Sequence, residues 1–234
     1  MKNFVNHCAS KEKAGKCKDI DKERFISNYP LQLSISEPEQ IAKQMKYSVC
    51  KIYIIDGNGT GFFCKVKNPN ESNFIHLLIT DQHVLNNQAL SPGNIIKISL
   101  YNEKIMKKIV ISEERKIYFN EELDITCIVI NPKKDDLYEP IEYLELEDNF
   151  EKDQDFFNEL YKNKPIYLLH YPDKDGKFVS YGIINEIKDN IIQHLCSTGK
   201  GSSGSPIILM DNKKVIGVHY GGKKDLELNE GNLL

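Results

Sequence analysis

The residues best suited to chemistry in this chain lie in one short stretch, Thr198-Gly199-Lys200-Gly201-Ser202-Ser203-Gly204-Ser205-Pro206, just before an apolar run. A serine acts as an acyl-transfer nucleophile when its hydroxyl stands on a tight turn beside backbone N–H groups free to bind a developing oxyanion. Ser203 has Gly201 two positions before it and Gly204 directly after it, so the backbone can turn the Gly201 and Ser203 N–H groups toward one point. Neither Ser202 nor Ser205 has both glycines in that register. On residues alone, a Gly/Ser run between apolar segments is also an ordinary loop. Its partners must decide.

A serine nucleophile needs a base within hydrogen-bond reach and a carboxylate to orient that base. Of six histidines, His76 and His170 fall inside apolar runs and read as packed structural residues, His7 lies in a polar tail, and His194 reads as a solvent-facing strand residue. His83 differs. In Ile79-Thr80-Asp81-Gln82-His83-Val84-Leu85 it stands just past a buried strand, where a turn can present it to a cleft. Asp124 stands at the entrance of another apolar strand, in Leu123-Asp124-Ile125-Thr126. Each of these taken singly also reads as a strand-end cap or a solvated side chain.

Composition narrows the function classes. The chain has 234 residues, 40% hydrophobic content and a formal net charge of −3, enough for a buried core but without the positive field that would attract nucleic acid or anionic lipid. No run approaches the length of a membrane span, and the N-terminus lacks the apolar segment of a signal peptide, so the expectation is a cytoplasmic protein. Cys8, Cys17, Cys50, Cys64, Cys127 and Cys196 read as reduced thiols, and His7, Cys8 and Cys17 match no zinc spacing; no metal or cofactor is expected.

The elements that must position these residues read as short strands from Val49 onward, rich in Ile, Val, Tyr and Phe and broken by turn residues. Six strands are expected in the first half: Val49 to Ile55, Thr60 to Val66, Asn73 to Thr80, Ile95 to Tyr101, one within Ile105 to Tyr118, and Ile125 to Ile130. The second half offers Ile166 to Tyr171, Phe178 to Ile187, Ile191 to Cys196, Pro206 to Met210 and Val215 to Tyr220, with a stub at Asn229 to Leu234 for a final strand. Hairpin turns are expected at residues 56–59, 173–176 and 211–212. Residues 1–45 form an N-terminal extension, partly helical or disordered, with Ser36 capping a short helix over residues 37–45. Residues 46–135 form the first β-unit, 136–160 a linker with a short helix within residues 148–161, and 161–234 the second β-unit. The short end after Gly222 reads as a possible C-terminal truncation.

Four landmarks in order, Gly59-Thr60-Gly61-Phe62-Phe63, Ile79-Thr80-Asp81-Gln82-His83-Val84-Leu85, Leu123-Asp124-Ile125-Thr126 and Gly201-Ser202-Ser203-Gly204-Ser205-Pro206, resemble the trypsin-like serine peptidases of the chymotrypsin fold. The resemblance spans Val49 to Gly222. The chain order His, Asp, Ser agrees with that architecture and not with subtilisin-type or α/β-hydrolase enzymes. It implies an all-β fold of two packed six-stranded antiparallel β-barrels with the cleft between them. It implies an endopeptidase that acylates Ser203, with His83 as general base, Asp124 orienting it, and the Gly201 and Ser203 N–H groups as the oxyanion hole. A protein or peptide substrate would bind as an extended strand along Tyr220 and Gly221. Thr198 and His219 fall where the glutamyl endopeptidase branch grips an acidic P1 side chain. Ser202 stands where secreted trypsins carry an aspartate that pairs with a newly cut N-terminus, which puts activation by that route in doubt. The competing expectation is a catalytically silent double barrel that binds peptides or acts as a scaffold.

Overall fold

A computed structural model describes residues 33–55, 57–101, 103–137, 141–147, 154–172, 176–223 and 227–234. The turns expected around Asp56 and Asp173 and most of the N-terminal extension, with His7, Cys8 and Cys17, lie outside these residues in whole or in part.

The first half is a sheet of eight strands: β1 (Val49–Ile54), β2 (Gly57–Lys67), β3 (Phe74–Asp81), β4 (Ile95–Leu100), β5 (Ile105–Val110), β6 (Ile117–Asn120), β7 (Ile125–Val129) and the two-residue β8 (Leu144–Glu145). Its hydrogen-bonded order is β5-β4-β1-β2-β3-β7-β6, with β8 parallel to β2. The single strand expected within residues 105–118 is two, because Glu113 and Glu114 lie in a turn that sends β5 and β6 to opposite edges. The sheet therefore curls as a half-barrel. The second half, β9 (Pro165–His170), β10 (Phe178–Lys188), β11 (Ile191–His194), β12 (Ser205–Leu209), β13 (Val215–Lys223) and β14 (Leu228–Leu233), is a closed barrel in the order β10-β11-β14-β13-β12-β9. The expected stub is the full strand β14, which pairs with both β11 and β13. Together the halves make the chymotrypsin-like double barrel.

Strands alternate inward and outward, and the inward residues make three cores. Ile52, Phe63, Leu78 and Ile98 fill the first half, and Ile166, Leu168, Ile192 and Ile207 fill the second. Phe62, Ile79, Tyr167, Ile208 and Val218 form a third core that draws on both halves. Helix α1 (Ser36–Tyr47) adds Ile41 and Met45 to that shared core, and Tyr167 Oη donates to Gln44 Oε1 at 2.5 Å. Ser36 does not cap it. Instead Glu37 Oε2 accepts the Ser34 N–H at 2.8 Å, one half of a capping box begun two residues earlier. Helix α2 (Gln154–Tyr161) covers the second core with Phe157 and Tyr161. Cys50, Cys64, Cys127 and Cys196 are unpaired thiols, and burial raises the pKa of each.

Candidate active site

β3 ends at Asp81 and breaks into a turn because the Asp81 carbonyl accepts both the Val84 and Leu85 N–H groups. The turn lifts His83 out of the sheet, its side chain 49% exposed. Across from it, Asp124 closes the turn after β6 with φ of 47°, a left-handed conformation that aspartate tolerates better than most residues. Its backbone carbonyl accepts Gln82 N–H at 3.0 Å, which brings the two turns together. The carboxylate then holds His83 twice: Oδ1 accepts the His83 backbone N–H at 2.8 Å, and Oδ2 accepts Nδ1–H at 2.6 Å. An ionised carboxylate only accepts, so the proton is on Nδ1 and Nε2 presents a basic lone pair.

Ser203 comes from the loop between β11 and β12. Gly201 and Gly204 both have positive φ, 91° and 86°, as the register of this loop requires. At Gly204 space is decisive as well, since a Cβ would stand 2.0 Å from the Thr60 carbonyl and 2.2 Å from Thr80 Oγ1. Thr60 of β2 fastens the loop to the first half: its N–H donates to the Ser203 carbonyl at 2.8 Å and its hydroxyl to the Gly201 carbonyl at 2.9 Å. No described residue accepts a hydrogen bond from the Gly201 or Ser203 N–H. The Ser203 hydroxyl donates to the Tyr220 carbonyl at 3.1 Å, and no Ser203–His83 hydrogen bond is formed in this conformation.

A trypsin-like peptidase domain model matches residues 59–218. The chain belongs to the trypsin-like peptidase family. It is a serine endopeptidase of the chymotrypsin fold. No curated protein matches it in sequence. Among solved structures it is similar to the inactive form of a serine-to-alanine mutant of Rv3671c from M. tuberculosis H37Rv, with TM-score 0.55, 17% identity, and coverage of 85% of this chain and 86% of that one. It is also similar to a serine endoprotease from Yersinia pestis, with TM-score 0.58, 14% identity, and coverage of 87% of this chain and 64% of that one. At such identities these two likenesses speak for the fold alone.

In this trypsin-like peptidase a cleft of about 580 Å³ adjoins Ser203 and is lined by Thr198, Gly199, His219, Gly221 and Asn229, among others. The Tyr220 ring is not in its wall; the Tyr220 hydroxyl turns away to donate to Glu230 Oε2 at 2.8 Å. His219 is 2% exposed, and its Nδ1 lies 3.2 Å from His194 Nε2. His194 Nδ1 in turn accepts the Cys196 N–H at 3.3 Å. An imidazole nitrogen that accepts carries no proton, so in the neutral ring His194 Nε2–H donates to His219 Nδ1, and the His219 proton is on Nε2. Burial lowers the His194 pKa to about 4, the nearby Glu230 carboxylate opposing this only in part. The His219 pKa is also well below its ordinary value through burial first, then through His194 and His170, with the Glu230 carbonyl opposing. His194 is therefore not the solvent-facing residue its sequence context suggests. It lies inside the closed barrel, on β11 between β10 and β14.

Thr60, Asp81, His170 and His194 are polar residues at the site to which the sequence motifs assign no role. Their signal was hidden by their neighbours, since each stands inside or at the end of an apolar strand and reads as filler. Asp81 is fully buried and 4.0 Å from His83 Nδ1, and neither carboxyl oxygen has a hydrogen-bond partner among the described residues. Asp81, His83 and Asp124 offer ligand atoms within 4.8 Å of one another, but the 2.6 Å bond between His83 and Asp124 already uses two of the three.

Proposed function

We propose that Ser203, His83 and Asp124 carry out peptide hydrolysis in this endopeptidase, with an acidic residue preferred at P1. The observation that carries the reading is the double grip of Asp124 on His83, which fixes the proton on Nδ1 and leaves Nε2 to act as base. In the reaction the Ser203 hydroxyl leaves the Tyr220 carbonyl, gives its proton to His83 Nε2 and forms the acyl bond. His83 then returns the proton to the leaving amine. Water, activated by the same nitrogen, releases the acid. The Gly201 and Ser203 N–H groups receive the oxyanion, each worth about 3 kcal/mol of transition-state stabilisation in such sites.

Substrate binding follows from the end of β12. That strand pairs with β13 only as far as Ser205 opposite His219, while β13 runs on to Lys223. Tyr220 sits in the register shift between His219 and Gly221, and the edge from Tyr220 onward is left without a β12 partner. An extended peptide adds there as a strand. Its P1 side chain enters the cleft, where the Thr198 hydroxyl supplies a donor for a carboxylate and the buried His219, its ring N–H given to the Glu230 carbonyl, forms part of the wall.

The test is active-site labelling joined to a P1-scanning peptide library. We expect a fluorophosphonate to label the wild type and not Ser203→Ala, with the variant still folded. Labelling retained by Ser203→Ala removes the nucleophile assignment, and an extended peptide held uncut by the wild type favours a silent double barrel. Cleavage only after large apolar residues leaves the hydrolase intact and removes the acidic preference.

A further inference from the structure

The turn that carries the Gly201 N–H is fastened from behind, and the fastening is absent from the catalytic scheme above. Ser202 faces away from the cleft and is fully buried. Its hydroxyl oxygen accepts the Gly199 N–H at 3.0 Å, and its own N–H donates to the Gly199 carbonyl at 3.0 Å. These two bonds close residues 199–202 into one turn. The same oxygen lies 2.7 Å from Nδ1 of His170, on β9, and His170 Nε2 lies 2.9 Å from the Ser180 hydroxyl on β10.

His170 is 3% exposed, and burial lowers its pKa to about 4, so the ring is neutral and has one proton. The Ser202 oxygen already accepts from Gly199, and its proton has no other acceptor among the described residues than His170 Nδ1. The ring proton is therefore on Nε2 and donates to Ser180. The result is a chain running Gly199 N–H to Ser202, Ser202 O–H to His170, and His170 N–H to Ser180. It ends on two neighbouring strands of the closed barrel, where Phe178 is paired with His170. A buried chain of this kind holds geometry more firmly than isolated bonds do.

We propose that His170 is a positioning residue: acting through Ser202, it holds the 199–202 turn in the shape that points the Gly201 N–H at the oxyanion. The proposal rests on Ser203 as the nucleophile and on Gly201 as an oxyanion donor. The anchor is uncharged and built entirely from the second barrel. Ser202, which stands where secreted trypsins carry an aspartate, is held here by amide, hydroxyl and imidazole bonds alone among the described residues.

The experiment compares Ser202→Ala, His170→Leu, their double variant and His170→Gln with the wild type. It measures kcat, KM, thermal stability and inhibition by a peptide trifluoromethyl ketone whose hemiketal oxygen would occupy the oxyanion site. Removing one oxyanion donor costs about 10²–10³ in kcat, so partial misplacement in Ser202→Ala and His170→Leu is expected to cost about 30–100-fold. KM should stay within about threefold, as expected when an interaction realised only in the transition state is lost. Ketone affinity should fall in step with kcat. The double variant should be no worse than either single one, because both break the same chain. His170→Gln keeps an acceptor and a donor at its two ends and should recover most of the activity. Folded variants with kcat within threefold of wild type overturn the proposal, as do losses that multiply in the double variant. If the His170 variants do not fold, Ser202→Ala decides by the same measures, because it removes one oxygen and little volume. Failure of the wild type to cleave peptides or take the fluorophosphonate is a different result, and counts against the nucleophile assignment itself.

Discussion

His83 and His170 both use ring nitrogens for hydrogen bonds, yet one is half exposed beside carboxylates and the other is sealed among hydroxyls. In the first setting Asp124 lies against Nδ1 and solvent reaches the rest of the ring. The second penalises protonation, since no carboxylate is hydrogen-bonded to the ring and burial disfavours the charged form. His194 and His219 repeat the second setting. The division follows the fold. The open-edged half-barrel supplies the charged groups at its rim, and the closed barrel supplies neutral dipoles held in fixed directions. A site that must move protons and also hold an oxyanion has a reason to separate the two tasks.

The sharpest way to break this division is to change one acceptor on each ring. Asp124→Asn leaves the side-chain shape but offers an amide that can favour the wrong His83 tautomer, and kcat should fall by about 10⁴-fold. Ser180→Ala removes the outer partner of His170 without touching Ser202 and should cost less than about tenfold, because the remaining bond still holds the turn. Steady-state kinetics on one peptide substrate compares them directly. Losses of equal size would mean that the two rings do the same kind of work.

A middle-sized effect is expected where the halves meet. Thr60 lends its N–H to Ser203 and its hydroxyl to Gly201, and that hydroxyl also accepts the Tyr171 N–H at 3.0 Å. Thr60→Val keeps the shape and the backbone bond but orphans a buried N–H, which costs about 1–3 kcal/mol in stability. It also frees the Gly201 carbonyl, so kcat should fall by about 10–100-fold, the scale of a small misplacement at the reacting centre. A variant that loses stability and keeps kcat would confine Thr60 to structure.

How much of this was legible in the sequence follows from the same division. His83, Asp124 and Ser203 stand at strand ends among turn residues, where a polar side chain interrupts an apolar pattern and a motif can be seen. The strand positions were readable too, because β-rich runs bounded by Gly, Asn and Asp are a local signal; β12 and β13 begin within a residue of where that signal places them. The double β5–β6 edge was not readable, since which strands become edges depends on pairing across the sheet. His170 and His194 were read as packed or exposed filler because their partners, Ser202 and His219, are distant in sequence and meet them only once the barrel closes.

Asp81 gives the smallest and most particular test, because it is a carboxyl in the charged half that has the burial of the neutral half. Burial raises its pKa well above the ordinary value, and the Asp124 carboxylate raises it further. The Gly204 N–H favours the ionised form but is given to the His219 carbonyl at 2.9 Å. With the folded pKa above the unfolded one, the native protein keeps a proton that the unfolded chain has released once the pH passes about 3.8. Stability from this group is therefore full below that pH and declines as pH rises toward the folded pKa. Each unit between the two values costs about 1.4 kcal/mol at high pH, which is about 3–6 °C in Tm for a chain of this size. Asp81→Asn removes the titration and keeps the shape. Its Tm relative to wild type should rise as the pH increases from about 4, with the gain smallest at the acid end. A difference that does not change with pH, or a variant less stable at pH 8, would mean that Asp81 is ionised in the native protein and belongs with the charged pair above it.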